Sequence, residues 1–273
     1  MRELPEHQVP ATFAVFFGQE LRRYRTAAGL SQDQLGAKAN YTGTYVGLIE
    51  AAKRSCPRDL AERADELLDA RGALLNLWAQ ANQEPHPAWF QPFVKAESEA
   101  ASISEFEPLV VSGLLQTEEY ATEVIRSGRP EATDEEIRHE VAARMSRRHV
   151  LERDRPPRFW LILDEAALRR VIGGRKVMFD ALTAVVEAAK RPRITVQVLP
   201  FTAGAHAALG GTLTLLDGRH KTAYCEGHAT GRLITDPDEV ADCAHAFSLL
   251  QSAALSVRDS VDLVRDVMEG YGS

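Results

Sequence analysis

The sequence has few of the features that mark disulfide-bonded, secreted or membrane-spanning proteins. Cys56, Cys225 and Cys243 are the 3 cysteines among 273 residues, and they form no Cys-x-x-Cys pair. An odd, scattered count favours reduced thiols over a disulfide framework. No apolar run is long enough to span a bilayer. The apolar stretch 13–17 is too short for a secretion signal, and no basic segment precedes it. We therefore expect a cytoplasmic protein with no membrane partner.

Catalytic and metal-binding motifs are also lacking. The sequence contains no nucleophile elbow, no phosphate-binding glycine loop and no cysteine or histidine pair with metal-ligand spacing. Cys243 and His245 are two residues apart, so on one helix their side chains would point in different directions. We therefore expect no enzyme activity, no metal and no cofactor.

The charge of the chain is unevenly distributed. The net charge is −7, but between Gly18 and Arg58 seven basic residues stand against three acidic ones, a local balance of 7 − 3 = +4. The basic residues are Arg22, Arg23, Arg25, Lys38, Lys53, Arg54 and Arg58, and the acidic ones are Glu20, Asp33 and Glu50. A positive segment in an acidic protein is typical of a surface that docks on nucleic acid.

Residues 21–54 of this segment predict two short helices joined by a tight turn, with another helix before them. Ser31 is a suitable N-cap for a helix over residues 32–39. Asn40 suits a left-handed turn, and Thr42 is a suitable N-cap for a helix that ends near residue 51. The helix that precedes residue 29 carries an apolar stripe at Phe17, Leu21, Tyr24 and Ala28. In the helix that follows Thr42, Val46 and Ile49 are predicted to face inward. Helices over residues 57–69 and 72–83 follow. This layout places one helix in the major groove of DNA.

The segment resembles the Xre or lambda-repressor-like helix-turn-helix family. The resemblance rests on Arg25, Gly29 to Gln32, Leu35, Ala39, Thr42, Val46, Ile49, Glu50, Lys53 and Arg54. It implies that Gln32 contacts a backbone phosphate and that Arg25 and Glu50 form an ion pair between the first and third helices. Gln32 could instead be a solvated residue at a helix start.

The predicted recognition helix offers no Arg, Lys, Asn or Gln for bidentate reading of bases. Its predicted exposed residues are Gly43, Thr44, Tyr45, Gly47 and Leu48. We expect phosphate contacts and DNA shape to carry much of the binding, and we expect a homodimer that reads two half-sites. The predicted DNA-binding residues are Gln32, Thr42, Gly43, Thr44, Tyr45, Leu48, Lys53, Arg54 and Arg58.

The length favours two domains, and Pro85, Pro87 and Pro92 predict a boundary. We expect a mainly α, lambda-repressor-like helix-turn-helix domain over residues 1–83 and a mixed α/β domain over residues 84–273. In the latter, strands are predicted at 106–111, 158–163 and 194–199. The last two flank helices, which favours a parallel βαβ unit. Asp217-Gly218 predicts the turn of a hairpin between residues 212–216 and 222–226.

Three segments of the second domain resemble the antitoxin-like C-terminal domain of actinomycete Xre-type regulators, a group that includes WhiJ-like developmental regulators. They read EFEPLVVSGLLQTEEYA, LDEAALRRVIGG and ITVQVLPFTAGAHAALGGTLTLL. The resemblance implies a DNA-binding transcription factor, expected to be a repressor, with a small partner protein encoded nearby.

The loop over residues 200–211 follows a strand at its C-terminal end, where α/β sheets tend to bind ligands. We predict a pocket for a small-molecule effector or a partner's peptide, lined by Gln116, Glu165, Phe201, His206 and Glu226. Glu165 could instead only stabilise a helix start, and His206 could only bond the backbone. The alternative function is an antitoxin-type module that sequesters a small partner protein, with DNA binding secondary.

Overall fold

The structure is a computed structural model that describes residues 13–54, 56–83, 86–87, 89–227 and 230–272. The chain divides into two compact units, Met1–Gln91 and Pro92–Ser273. The helical first unit and the mixed second unit confirm the predicted fold class.

The described part of the first unit consists of helices with short connections. They are α1 (Phe13–Ala27), α2 (Gln32–Ala39), α3 (Gly43–Glu50), α4 (Arg58–Leu67) and α5 (Ala73–Gln83). The Ser31 side chain and the Gln34 side chain each bond the other residue's backbone N–H, which forms a capping box at the start of α2. Asn40 ends α2 with a left-handed φ of 64°, and the Thr42 side chain caps α3. The caps at Ser31 and Thr42 and the left-handed Asn40 were correctly predicted from the sequence, whereas the contribution of Gln34 was not predicted.

The core of the first unit brings α1, α2, α3, α4 and α5 together around one apolar cluster. Its buried members include Phe17, Leu21, Leu35, Val46, Ile49, Leu60 and Leu74. The prediction that Ala28 faces this core is wrong, because α1 ends at Ala27 and Ala28 is exposed. Arg25 is buried on α1 instead.

The second unit is built on a mixed six-stranded sheet in the order β3-β2-β1-β4-β5-β6. The strands are β1 (Ser102–Glu107), β2 (Arg158–Asp164), β3 (Ile194–Leu199), β4 (Leu213–Asp217), β5 (Lys221–Gly227) and β6 (Thr230–Ile234). Strands β1, β2 and β3 are parallel, whereas β1, β4, β5 and β6 pair antiparallel in succession. The predicted parallel βαβ unit is therefore confirmed.

The helices of this unit are α6 (Gln91–Glu99), α7 (Glu118–Gly128), α8 (Asp134–Ser146), α9 (Glu165–Arg169), α10 (Arg175–Ala189), α11 (Pro237–Ala253) and α12 (Val257–Gly272). A 3₁₀ turn, Arg147–Leu151, continues α8. Helix α11 packs on β4 and β5, and α12 lies beside the edge strand β3. The Val198 N–H donates to Ser260 at 2.9 Å, so the start of α12 satisfies part of that edge.

Two strand predictions differ from the structure. The strand predicted at 106–111 is β1, which lies four residues earlier and ends before Pro108, a residue without an N–H to donate. The hairpin between β4 and β5 connects through Gly218–His220, because Asp217 still pairs with Lys221 in the ladder. Strand β6 was not predicted.

Candidate nucleic-acid interface

The turn between α2 and α3 is tight enough that only glycine fits at two positions. A Cβ on Gly36 would lie 2.7 Å from the Tyr41 carbonyl oxygen, and a Cβ on Gly43 would lie 1.8 Å from Asp33 Oδ1. Gly43 is therefore buried against α2, and the prediction that it is exposed for DNA contact is corrected. The physical reason is the close approach of the two helices, which a hydrogen atom permits and a methyl group does not.

Gly47 faces α2 in the same way, since a Cβ there would lie 3.0 Å from Gln32 Oε1. Because Val46 and Ile49 lie in the core and Gly43 and Gly47 face α2, only a small part of the α3 surface is left exposed. Thr44 is exposed and Leu48 is half-buried. Thr42, the N-cap, is also exposed, and its hydroxyl accepts the Tyr45 N–H at 3.2 Å.

A buried ion pair ties α1 to α3. Arg25 Nε donates to Glu50 Oε1 at 2.5 Å, and Arg25 Nη2 donates to Glu50 Oε2 at 3.0 Å. The two side chains are 9% and 4% exposed. The hydrogen bond from Arg25 to Glu50 raises the pKa of the guanidinium above its usual value. The remaining Arg25 group, Nη1, donates to the Leu30 carbonyl at 2.7 Å.

Gln32 joins this ion pair. Its side-chain Nε2 donates to Glu50 Oε2 at 2.8 Å. Gln32, assigned to a phosphate by resemblance, is thus engaged in a bond between α2 and α3, although the residue is exposed. The resulting Arg25–Glu50–Gln32 network fixes the angle among three helices of the unit.

A second set of contacts joins α3 to α4 and to the loop between them. The Tyr41 and Tyr45 rings stack with centroids 5.2 Å apart, and the Arg54 guanidinium lies 4.9 Å from the Tyr45 centroid. The Tyr41 hydroxyl donates to Asp59 Oδ1 at 2.8 Å. Burial and the Asp59 carboxylate raise the pKa of Tyr41 to about 12. We call Arg54, Tyr45, Tyr41 and Asp59 the tyrosine stack.

The basic residues of this unit differ in their partners. Arg23 pairs with Glu20 at 2.6 Å, and Arg58 pairs with Glu62 at 2.9 Å on the surface. Four exposed cations have no carboxylate partner in the part of the chain that the structure describes, whereas the half-buried Arg63 donates to the Ala39 carbonyl. The four exposed cations are Arg22, Lys38, Lys53 and Arg54. These four leave positive charge available to an external anion.

The predicted pocket of the second unit is divided between the two faces of the sheet. Phe106 of β1 packs edge-on against His206, with ring centroids 5.3 Å apart. Its neighbours Glu105 and Glu107 point to the other face, because side chains alternate along a strand. Glu165, Phe201 and His206 belong to the first face, whereas Gln116 and Glu226 lie with the residues of the second. The structure therefore does not bring the five predicted residues into one pocket.

The first group lies where β2 and β3 end. Glu165 Oε2 accepts the Phe201 N–H at 2.9 Å, and Glu165 Oε1 accepts from Arg169 at 2.7 Å. Burial raises the pKa of Glu165, but these hydrogen bonds outweigh it, so the pKa falls below its usual value. His206 Nε2 lies 4.0 Å from Asp164 Oδ2, and His206 Nδ1 accepts the Ala208 N–H at 3.3 Å. Glu165 thus fixes the start of the loop that holds His206.

The second group is a polar cluster that sequence reasoning largely missed. Glu97, Glu105, Ser112 and Gln116 are buried, whereas Glu226 is exposed. Gln116 is buried, where its amide donates to the Val111 carbonyl at 2.7 Å and accepts from Arg144 at 3.2 Å. Glu226 Oε2 lies 3.3 Å from the Tyr224 hydroxyl. The other members are Glu97, Glu105, Glu107, Ser112 and Arg147. The motif Glu105-Phe106-Glu107 was the available signal, because alternation places both carboxylates on one face of β1.

The polar cluster holds more carboxylates than guanidinium groups. Arg147 binds Glu97 through two bonds, of 2.8 and 2.9 Å, while Glu105 accepts a 3.0 Å bond from the Ser112 hydroxyl. Burial, together with the charge of Glu105, raises the pKa of Glu107 well above its usual value. Burial also raises the pKa of Glu105 and Glu226 and lowers that of Arg144. The pKa values of Glu105, Glu107 and Glu226 thus all lie above the usual value of a glutamate carboxyl group.

Among the described residues there is no group of three or more His, Cys, Asp or Glu side chains placed to hold a metal ion. None of the helices in the described ranges has the length and apolar character required to cross a membrane.

The comparisons with known families cover both units. Residues 17–78 match the model of a helix-turn-helix domain, and residues 90–266 match the model of a domain of unknown function (DUF5753). The comparisons with the curated proteins and with the solved structures found no match. The first match supports a DNA-binding regulator, and the second spans more than half of the chain.

Proposed function

We propose that this chain, which belongs to the DUF5753 family and carries a helix-turn-helix domain ahead of that domain, is a non-enzymatic transcriptional repressor that binds double-stranded operator DNA. The observation that carries the proposal is the α2–turn–α3 arrangement, held by the Arg25–Glu50–Gln32 network beside four cations that no described carboxylate neutralises. Such unneutralised charge suits the phosphate backbone of DNA.

In this proposal α3 lies in the major groove, and Thr42, Thr44 and Leu48 face the base edges. Threonine hydroxyls make single hydrogen bonds, and apolar groups contact thymine methyls. Such a surface discriminates bases weakly, so Lys53, Arg54 and the other unpaired cations supply phosphate contacts. Arg58 remains a phosphate candidate because its exposed pair with Glu62 stabilises little and can exchange.

A homodimer is part of the proposal. One eight-residue recognition helix with few base-reading side chains gives weak binding, whereas two copies double the contact surface. The operator is then an inverted repeat with half-sites about 10 base pairs apart, or a multiple of that spacing. Such a protein works in the cytoplasm, on the nucleoid.

For the second unit we propose the binding of a small partner protein or an effector. The support is a set of exposed apolar side chains in the segments that follow the three parallel strands. They are Leu109, Val171, Phe201 and Leu209. The carboxyl ends of parallel strands meet at one edge of a sheet, and exposed apolar patches mark interaction sites. The same exposed apolar side chains favour the second candidate, an antitoxin-type module whose main task is to hold that partner.

Binding measurements with three variants test the DNA-binding proposal. Gln32→Ala, Thr44→Ala and Arg54→Ala should each weaken binding to an operator selected with the unmodified chain, as measured by fluorescence anisotropy in moderate salt. Equal affinity of all three variants and the unmodified chain would exclude this docking surface.

Co-purification from the native host separates the two candidates. Under the repressor proposal, a stoichiometric small protein alters operator binding when it is added back. A partner that binds with no effect on operator affinity would support the antitoxin-type module.

A further inference from the structure

The tyrosine stack links a loop arginine to a helix that lies outside the helix-turn-helix. Asp59 of α4 accepts from the Tyr41 hydroxyl, Tyr41 stacks on Tyr45 at an interplanar angle of 28°, and the Arg54 guanidinium lies over the Tyr45 ring. Both tyrosines are half-buried and pack against the apolar core. Tyr45 therefore presents a fixed aromatic surface, while Arg54 itself is exposed.

The stack lies on a defined side of α3. Gly43 and Gly47 face α2, because a Cβ on either would meet Asp33 or Gln32 of that helix. Tyr45 faces Tyr41, whose hydroxyl bonds Asp59 of α4. Thr44 and Leu48 lie between these two sides. When a helix enters the major groove, its middle line faces the bases and its flanks face the groove walls, where the phosphates are. Arg54 is thus held on a flank.

We propose that Tyr45 is a positioning residue whose ring holds the Arg54 guanidinium ready to bind one DNA phosphate through two N–H groups. The inference rests on the proposed DNA-binding function and reassigns Tyr45 from base contact to positioning. A cation over a ring face keeps the in-plane N–H groups of the guanidinium outside the stack. An arginine side chain loses much rotamer entropy when it binds a ligand. Because stacking on Tyr45 already restricts the rotamers of Arg54 in the free protein, less entropy is lost when Arg54 binds DNA.

The chemistry of the ligand follows from the geometry. A planar guanidinium with free in-plane donors matches the oxygens of a phosphate bidentately. No described carboxylate pairs with Arg54, so the site is open to an external anion. Lysine would keep the charge but lose both the stacking on Tyr45 and the two-pronged contact.

A double-mutant cycle on the full chain tests the inference. The variants are Arg54→Ala, Tyr45→Leu, the double variant and Tyr45→Phe, each measured on an operator selected with the unmodified chain. Arg54→Ala should weaken binding roughly tenfold, because a charge-assisted contact is lost. In the Tyr45→Leu background, Arg54→Ala should weaken binding clearly less than it does in the unmodified chain. Tyr45→Phe keeps the ring and should bind nearly as tightly as the unmodified chain.

The salt dependence identifies the contact as a phosphate. Loss of one phosphate contact should reduce the slope of log affinity against log salt by about 0.9, and Arg54→Ala should weaken binding equally on all operator variants. Additive effects of the two substitutions would overturn the positioning role. A loss confined to one base pair would overturn the phosphate contact.

Two controls keep the result interpretable. The Tyr45→Phe substitution preserves the packing, so hydrogen exchange of α1–α5 must be unchanged in this variant. A tenfold loss of DNA affinity in this correctly folded variant would contradict the role of the ring. If the unmodified chain selects no sequence at all, the proposed function fails, which differs from additive effects on a selected operator.

Discussion

Removal of the Glu50 carboxylate is the sharpest perturbation of the first unit, because it leaves Arg25 buried without its partner. Glu50→Ala deletes the acceptor of two Arg25 bonds and of the Gln32 bond. An uncompensated buried charge typically destabilises a protein by about 3–5 kcal/mol. Since Arg25 keeps its bond to the Leu30 carbonyl, we expect the lower part of that range, about 3 kcal/mol.

The surface pair Arg58–Glu62 provides the matched control. Its side chains are 72% and 48% exposed, compared with 9% and 4% for Arg25 and Glu50. Glu62→Ala should therefore change stability by at most about 0.5 kcal/mol, because water screens exposed pairs. A double replacement, Arg25→Met with Glu50→Leu, should recover much of the loss by removing both charges.

Hydrogen exchange under native conditions provides a unit-specific assay. Peptides from residues 13–83 report the opening of the first unit, and peptides from β2 and β3 serve as an internal reference. In the Glu50→Ala variant, the amide hydrogens of the peptides from residues 13–83 should exchange faster, whereas those of β2 and β3 should exchange at the unmodified rate. A free-energy change below about 1 kcal/mol, similar to that of Glu62→Ala, would refute the reasoning that the buried pair requires both members.

Three further predictions follow from packing, capping and titration. Gly36→Ala should destabilise the first unit by about 1–3 kcal/mol in urea denaturation, because its Cβ would meet a backbone oxygen; Gly270→Ala, in open space, should be neutral or slightly stabilising. Asp65→Ala should cost about 2 kcal/mol, since the carboxylate accepts three backbone N–H groups at the start of α5. The raised pKa of Glu107 favours folding below its unfolded pKa of about 4.3, and this stabilisation is lost as pH rises through the folded pKa. Glu107→Gln should therefore raise the free energy of unfolding of the second unit more at pH 8 than at pH 5, each time compared with the unmodified chain. If the free energy of unfolding depended on pH in the same way in both proteins, this prediction would be contradicted.

The sequence sufficed for the helix-turn-helix because its boundaries depend on local chemistry. Ser31, Asn40 and Thr42 each cap or turn the chain through their own side chain and a backbone neighbour within a few residues. The burial of Gly43 could not be predicted from such local signals. It depends on how closely α2 approaches α3, which the packing of two helices decides.

The second unit was predicted less completely for the same reason. Strand β2 carries a continuous apolar run and β3 alternates apolar with polar residues, whereas β6 is short, includes Gly231 and is defined by its pairing with β5. The predicted pocket combined the loop after β3 with residues from three other segments of the chain. The register of β1 separated them, because Phe106 and Glu107 point to opposite faces of the sheet.

Genome-wide DNA footprinting of the tagged chain, with and without its neighbouring gene, tests in the cell whether α3 recognises DNA. We expect protected inverted repeats with half-sites about 10 base pairs apart, or a multiple, and their loss in the Thr44→Ala, Arg54→Ala double variant. Protected sites that persist unchanged in that variant, or the absence of any protected site in the unmodified chain, would contradict DNA recognition through α3.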